Sequence, residues 1–399
     1  MASSCDTTAD DSRVYSSVKD YYGKVLQTSS DLKTNACTAG SKPNPLVRSI
    51  IATKVPKAVN DKFYGCGNPI PLGITGKDIL DLGSGSGRDC YIAAALVGPQ
   101  GSVTGVDMTD EQLETARQNV TEFGNVLGYQ PKLKFLTGYI ENLHEAGVAD
   151  NSIDVCISNC VINLSPNKQK VFEGVYQALR PGGELHFSDI YASARVPKDA
   201  RNNSMLLNEG MGGALYVEDF EEIVRDIGFS APRPLNVGYV QIYDNEIKSL
   251  VKGTKFYSIT YRLFKLGKPA KESSSATASH PKNATALTTT TATYLGTIDG
   301  HSDQYELDVQ HVFKKNEPVR VDSDTADILA LSWLAPYFAL NTDAADATTQ
   351  QSTFVMPTIA LMQQAYEKSQ ACSQKKAAAA AAAQSSDKCS SNKPACGDR

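Results

Sequence analysis

The chain has 399 residues, 41% of them hydrophobic, enough to bury one large core and a smaller second one. Its 44 acidic and 39 basic side chains are interspersed and sum to a formal charge of −5, so no basic stripe invites a nucleic-acid backbone. No apolar run reaches the roughly 18 residues of a membrane helix, and the polar, acidic start from Met1 to Ser12 is unlike a secretion signal. The expectation is a soluble cytoplasmic protein with neither membrane nor nucleic acid as partner.

In chain order, short apolar runs at Asp78–Leu82, Val103–Met108, Leu133–Ile140, Ile153–Asn159 and Glu184–Tyr191 read as strands. Helical spacing fills the intervals, as at Asp110–Phe123 behind a Thr109 or Asp110 cap and at Asn167–Leu179 after Pro166. This alternation predicts an α/β fold with a doubly wound, Rossmann-like sheet over 77–266, preceded by an N-terminal cap over 1–76. A Ser/Thr/Ala/Lys-rich stretch, 267–292, reads as a flexible linker. Alternating runs at Tyr294–Ile298 and Gln304–Phe313, then a helix at Ser323–Leu331, predict a small α+β accessory domain over 293–340. The remainder, 341–399, with seven consecutive alanines, reads as a low-complexity tail.

The chemistry concentrates at the first strand. Asp81-Leu-Gly83-Ser84-Gly85-Ser-Gly87-Arg88 follows it directly and opens a helix, so backbone amides face a ligand. About 20 residues on, Gly105-Val-Asp107-Met108 places a carboxylate where ribose hydroxyls would lie. The glycines stand at i, i+2 and i+4, not at the i, i+2, i+5 of dinucleotide binders, which fits a cofactor without a pyrophosphate. S-adenosylmethionine is the expected cofactor. Gly138-Tyr-Ile140-Glu141 ends the next strand, where Glu141 could accept from the adenine amino group or simply be a solvated loop acid. Asn159 and Cys160 end the fourth strand on the same side of the sheet.

Nine cysteines form no paired CxxC, and with five scattered histidines a zinc site has little support. Cys66 lies between two glycines and Cys160 at a strand's ligand-side end, whereas Cys156 inside a strand and Cys90 on a helix read as small buried hydrophobes.

The segments DLGSGSGRDCY (81–91), VTGVDM (103–108), GYIENLHEAGV (138–148), ISNCVINLSPNK (157–168), GGELHFSDIY (182–191) and GGALY (212–216) together resemble the arsenite methyltransferases. The likeness extends to DLKTNACT (31–38), FYGCGNPIP (63–71) and YRLFK (261–265). It implies methyl transfer from S-adenosylmethionine to trivalent arsenic on cysteine thiolates, supported by a thiol reductant. It assigns Cys66 and Cys160 as arsenic ligands and catalytic thiols. Cys37 is implied as a redox-linked cysteine, and Met108, Ile140 and Asn159 join the cofactor set. Tyr64, directly before Gly65-Cys66, could lay its ring near the cationic sulfonium or could equally be ordinary packing. Where the family carries a third ligating cysteine, this chain reads Glu209-Gly210-Met211, so the expected ligand is missing at Gly210. Two thiolates suit an arsenical already bearing one carbon, so the expected acceptors are arsenite and/or methylarsenite, with a preference for the latter. Two readings compete: methyl transfer to another soft acceptor, such as selenium or an organic thiol, and a non-catalytic thiol-based metalloid binder.

Overall fold

The structure is a computed structural model, and it describes residues 9–25, 43–63, 65, 67–267, 288–344 and 354–390. Its centre is an eight-stranded sheet. The strands are β1 (Asp78–Leu82), β2 (Ser102–Asp107), β3 (Lys132–Thr137), β4 (Ile153–Asn159), β5 (Leu179–Ala192), β6 (Leu215–Tyr216), β7 (Arg233–Val240) and β8 (Phe256–Lys265). Their order is β3-β2-β1-β4-β5-β8-β7, with β6 paired to β5. β1 to β5 run parallel, and β8 is antiparallel to both β5 and β7.

Side-chain alternation divides the apolar residues between two faces. Ile79, Val103, Val155 and Ile157 enter one core, and Leu80, Leu82, Val106 and Cys156 the other. Both faces are covered, which is why β1 and β4 read as continuous apolar runs instead of alternating ones. The second core is closed by the helices Lys168–Ala178 and Val217–Ile227, through Val171, Phe172, Phe220 and Val224. The helix expected over Asp110–Phe123 is two, Asp110–Gln118 and Val120–Leu127, broken at Asn119, whose side chain donates to the Thr115 carbonyl.

The first core is shared with the C-terminal unit. There β9 (Thr288–Tyr294) is the middle strand of an antiparallel sheet, flanked by β12 (Pro318–Val321) and β13 (Phe338–Ala344), beside the hairpin β10 (Gln304–Asp308) and β11 (His311–Lys314). β9 therefore begins inside the stretch expected as linker, and the strand expected over Tyr294–Ile298 stops at Tyr294. The threonine run Thr288–Thr291 is rich in β-branched residues, and its partners lie far along the sequence. Asp322 caps the helix Ser323–Leu331 as its sequence suggests, accepting from Thr325 N.

Buried charges join the unit to the sheet. Arg262 donates to both Glu184 oxygens (2.7 and 2.8 Å) and to Tyr305 Oη (2.8 Å), and Trp333 Nε1 donates to Glu184 Oε2 (2.7 Å). Residues 67–74 run between the two layers. His186 Nδ1 meets the Pro69 carbonyl (2.8 Å), Ile70, Leu72 and Ile74 are buried, and Tyr337 Oη donates to the Gly73 carbonyl (2.7 Å). Beyond 354, the helix Thr358–Ser390 buries Met362 in the second core and sets Tyr366 against Tyr239. Among the described residues no helix is long and apolar enough to cross a membrane.

His311 pairs with Asp308 across its own hairpin (2.9 Å) and ties that hairpin to Asp322 (3.3 Å), beside buried Arg233. Burial pulls its pKa down, but the hydrogen bonds to the two carboxylates outweigh burial and hold it at about 9. A histidine raised on folding stabilises fully below its unfolded value of 6.5, and that contribution is lost as pH rises through 9. The expected result is a His311→Gln variant melting well below the wild type at pH 6, with the gap closing above pH 9 in thermal unfolding.

Candidate functional site

A cavity opens at the C-terminal ends of β1, β2 and β4, where parallel sheets of this kind receive ligands. Its floor is the turn after β1. Gly83 has φ +61, and a Cβ there would fall 2.3 Å from Val161, so this position requires glycine on both counts. Gly87, which begins the helix Arg88–Val97, has φ +90 and packs on Phe135 and Ala116.

Asp107 at the end of β2 shapes the turn: Oδ2 accepts from Gly85 N and Oδ1 from Thr109 N, each at 2.8 Å. Burial raises the carboxyl's pKa, and these amides oppose the rise. Both oxygens retain accepting capacity for a ligand hydroxyl. Asp81 lies beneath the turn, its pKa raised first by burial and then by Asp89, and Cys90 donates to it (3.1 Å).

Of the residues singled out in the sequence, Gly83, Ser84, Gly85, Asp107, Met108, Ile140, Glu141, Asn159 and Cys160 all line this cavity. Glu141 accepts from Ser165 Oγ. Tyr64, Cys66 and Cys37 lie outside the described residues. Cys160 has φ +57, uncommon for a non-glycine residue, and its amide donates to the Ser188 carbonyl (2.8 Å). It is disulfide-bonded, whereas Cys90, Cys156 and Cys372 are free. Cys90 and Cys156 are fully buried, and burial pushes both thiols up, which makes them inert. Among the described residues no cluster of His, Cys, Asp and Glu could hold a metal ion.

Other lining residues escape the sequence reading. Tyr15, Val18 and Tyr22 come from the helix Ala9–Asp20 and the turn after it, at the i, i+3, i+7 spacing of one helix face. Tyr15 packs on Tyr139 (4.7 Å between ring centroids), Gln112 donates to the Tyr22 carbonyl (2.9 Å), and Tyr21 and Tyr22 reach Glu209 and the Asn208 carbonyl. The N-terminal helix thus bridges the cavity and the loop that carries Gly210. That spacing was the available signal.

The cavity suits an aminoacyl nucleoside. Ser84 Oγ, Arg88 Nε and Gln112 Oε1 line it buried and without hydrogen-bond partners, as polar groups awaiting a ligand would be.

Residues 75–228 match the model of a methyltransferase domain, and residues 288–396 that of the arsenite methyltransferase C-terminal domain. The mouse arsenite methyltransferase is 39% identical over 359 residues, 90% of this chain and 92% of that protein. The human one is 39% identical over 331 residues, 83% and 84% of the two chains. The solved arsenic(III) S-adenosylmethionine methyltransferase of Chlamydomonas reinhardtii is 46% identical, with a TM-score of 0.68, and the match covers 76% of this chain and 98% of that one.

Sheet, glycine turn and matches together define an S-adenosylmethionine-dependent methyltransferase of the class I, Rossmann-like type with a small α+β unit at its C-terminal side. Within that class the chain belongs to the arsenite methyltransferase family.

Proposed function

We propose that the chain methylates trivalent arsenic held by the thiolates of Cys66 and Cys160, and so detoxifies it. The observation that carries this reading is the placement of Cys160, which opens on the same cavity as the glycine turn. Gly83, Ser84 and Gly85 would cradle S-adenosylmethionine, with Gly87 behind them at the start of the helix and outside the cavity lining, Asp107 at the ribose, Glu141 at the adenine, and Tyr64, Met108 and Ile140 around them. That group, when bound, supplies an electrophilic methyl on a cationic sulfonium. Soft thiolates suit a thiophilic acceptor, and sulfur-ligated arsenic keeps a lone pair as nucleophile, so no protein general base is needed. The thiolates must be reduced, so turnover draws on a thiol reductant, with Cys37 as redox-linked cysteine. In this division residues 1–76 carry the acceptor loop and 77–266 the donor site.

With Gly210 in place of a third thiol, the acceptor preferred is methylarsenite over arsenite. Gly210 has φ +79, and among the described residues a Cβ there would meet only Asn163, at 4.0 Å. A cysteine therefore fits, at a backbone cost of about 1–2 kcal/mol. Purified protein with S-adenosylmethionine and a thiol reductant should methylate methylarsenite faster than arsenite, and Gly210→Cys should narrow the difference. Equal wild-type rates from the two arsenicals, read by mass analysis of products, would sink the preference.

A further inference from the structure

The helix Ala9–Asp20 and the turn Tyr21–Val25 present two faces to the rest of the molecule. Tyr15, Val18 and Tyr22 close the outer side of the donor cavity. Ser17 and Tyr21, four residues apart on the neighbouring face, turn instead to the end of the helix Ser204–Asn208. Ser17 Oγ donates to Asn208 Oδ1 (3.2 Å), Tyr21 Oη to Glu209 Oε1 (3.2 Å) and Tyr22 Oη to the Asn208 carbonyl (3.0 Å). Asn208 and Glu209 are buried yet lie outside the cavity lining, and Gly210 follows them directly.

A helix of 12 residues is marginal in water by itself, so its place depends on what it packs against. Among its described residues Val18 alone is fully buried. The rest of its hold is polar and aromatic and lies at two places. One is the cavity rim, where Gln112 Nε2 donates to the Tyr22 carbonyl and Tyr139 meets Tyr15. The other is the corner formed by Asn208 and Glu209. Loosening either lowers the fraction of molecules with the helix docked, and a ligand that touches the docked helix is weakened by that same fraction.

We propose that Asn208 and Glu209 are positioning residues for the methyl donor, which hold the N-terminal helix in place as the outer wall of the cavity through Ser17, Tyr21 and Tyr22. The proposal rests on the reading of this cavity as the S-adenosylmethionine site. Linkage makes the effect reciprocal: a donor that fixes the helix also fixes the segment it is bonded to. Occupancy of the donor site is thereby passed to the loop around Gly210, where this chain departs from its family.

The test uses full-length protein, calorimetry of S-adenosylmethionine, and amide hydrogen exchange with and without it. Tyr21→Phe keeps the ring and removes the hydroxyl, and Glu209→Ala removes its acceptor; each should weaken donor binding about 3- to 10-fold. The double variant should lose no more than Glu209→Ala alone, and Glu209→Gln, which keeps an acceptor oxygen, should bind as wild type. In the wild type the donor should slow exchange in residues 204–214 as well as in 9–25, and in Tyr21→Phe the protection of 204–214 should fall. If Glu209→Ala fails to fold, Tyr21→Phe and the exchange pattern decide. Wild-type donor affinity in Tyr21→Phe overturns the proposal, as do losses that add in the double variant, a Glu209→Gln as weak as Glu209→Ala, or donor protection that stops short of 204–214. Failure of the underlying reading is separate: Asp107→Ala would then bind S-adenosylmethionine as tightly as wild type.

Discussion

Cys160→Ser is expected to lose methyl transfer to every trivalent arsenical by at least about 10³-fold, the scale on which removal of a group that acts as part of a unit is felt. Serine matches cysteine closely in size and keeps the same backbone demands at φ +57, so the cavity should persist. What disappears is the soft donor, because a hydroxyl is both harder and protonated at neutral pH. No described thiol stands ready to replace it: Cys90 and Cys156 are fully buried with their pKa values raised, and Cys372 lies on the far helix Thr358–Ser390. S-adenosylmethionine should still bind, since the turn, Asp107 and Glu141 are untouched. Transfer of labelled methyl and calorimetry of the donor read the two halves separately, and retained arsenical methylation would assign the acceptor to other thiols.

The second large effect concerns stability. Arg262→Met leaves Glu184 fully buried with Trp333 as its one side-chain hydrogen-bond donor among the described residues, and stranding one member of such a pair costs about 3–5 kcal/mol. Burial drives the pKa of Glu184 upward, yet Arg262 more than offsets it and the carboxyl sits below its ordinary value, so it is ionised in the fold. Replacing both, as Glu184→Leu with Arg262→Met, should cost less than the single change, because no uncompensated charge is left behind. Urea unfolding of the three proteins measures the order. A single variant as stable as the double would show that Glu184 escapes its burial by taking up a proton at small cost.

The donor half was legible because strand burial and glycine geometry are local properties. Leu80, Leu82 and Val106 announce the core, and the spacing of Gly83, Gly85 and Gly87 announces the turn. The break at Asn119 was hidden because both halves of Asp110–Leu127 carry helical spacing, and a side-chain bond to Thr115 decides between them. β9 escaped for the opposite reason: Thr288–Tyr294 has little hydrophobic contrast, and only pairing with Pro318–Val321 and Phe338–Ala344 makes it a strand. Asn159 shows the limit at the site. Its place at a strand end was readable, but its grip on Gly67 spans 92 positions and exists only in the folded chain. Cys37 was read from resemblance, Cys66 from resemblance and its glycine-flanked place, and Tyr64 from its place beside it; all three lie outside the described residues.

Residues 67–74 form the filling between two layers, and neither layer can be lifted away without undressing the other. Cutting the chain after 267 would remove Tyr294, Ile298 and Phe338 from the core that Ile70, Leu72 and Ile74 share with them, and would take Trp333 and Tyr305 from the Glu184–Arg262 pair. A fragment that retains the whole donor pocket would then hold the stretch next to Cys66 from one side alone. The minimal methyl-transferring unit is therefore longer than the sheet that binds the methyl donor, and its length is set by what must lean on residues 67–74.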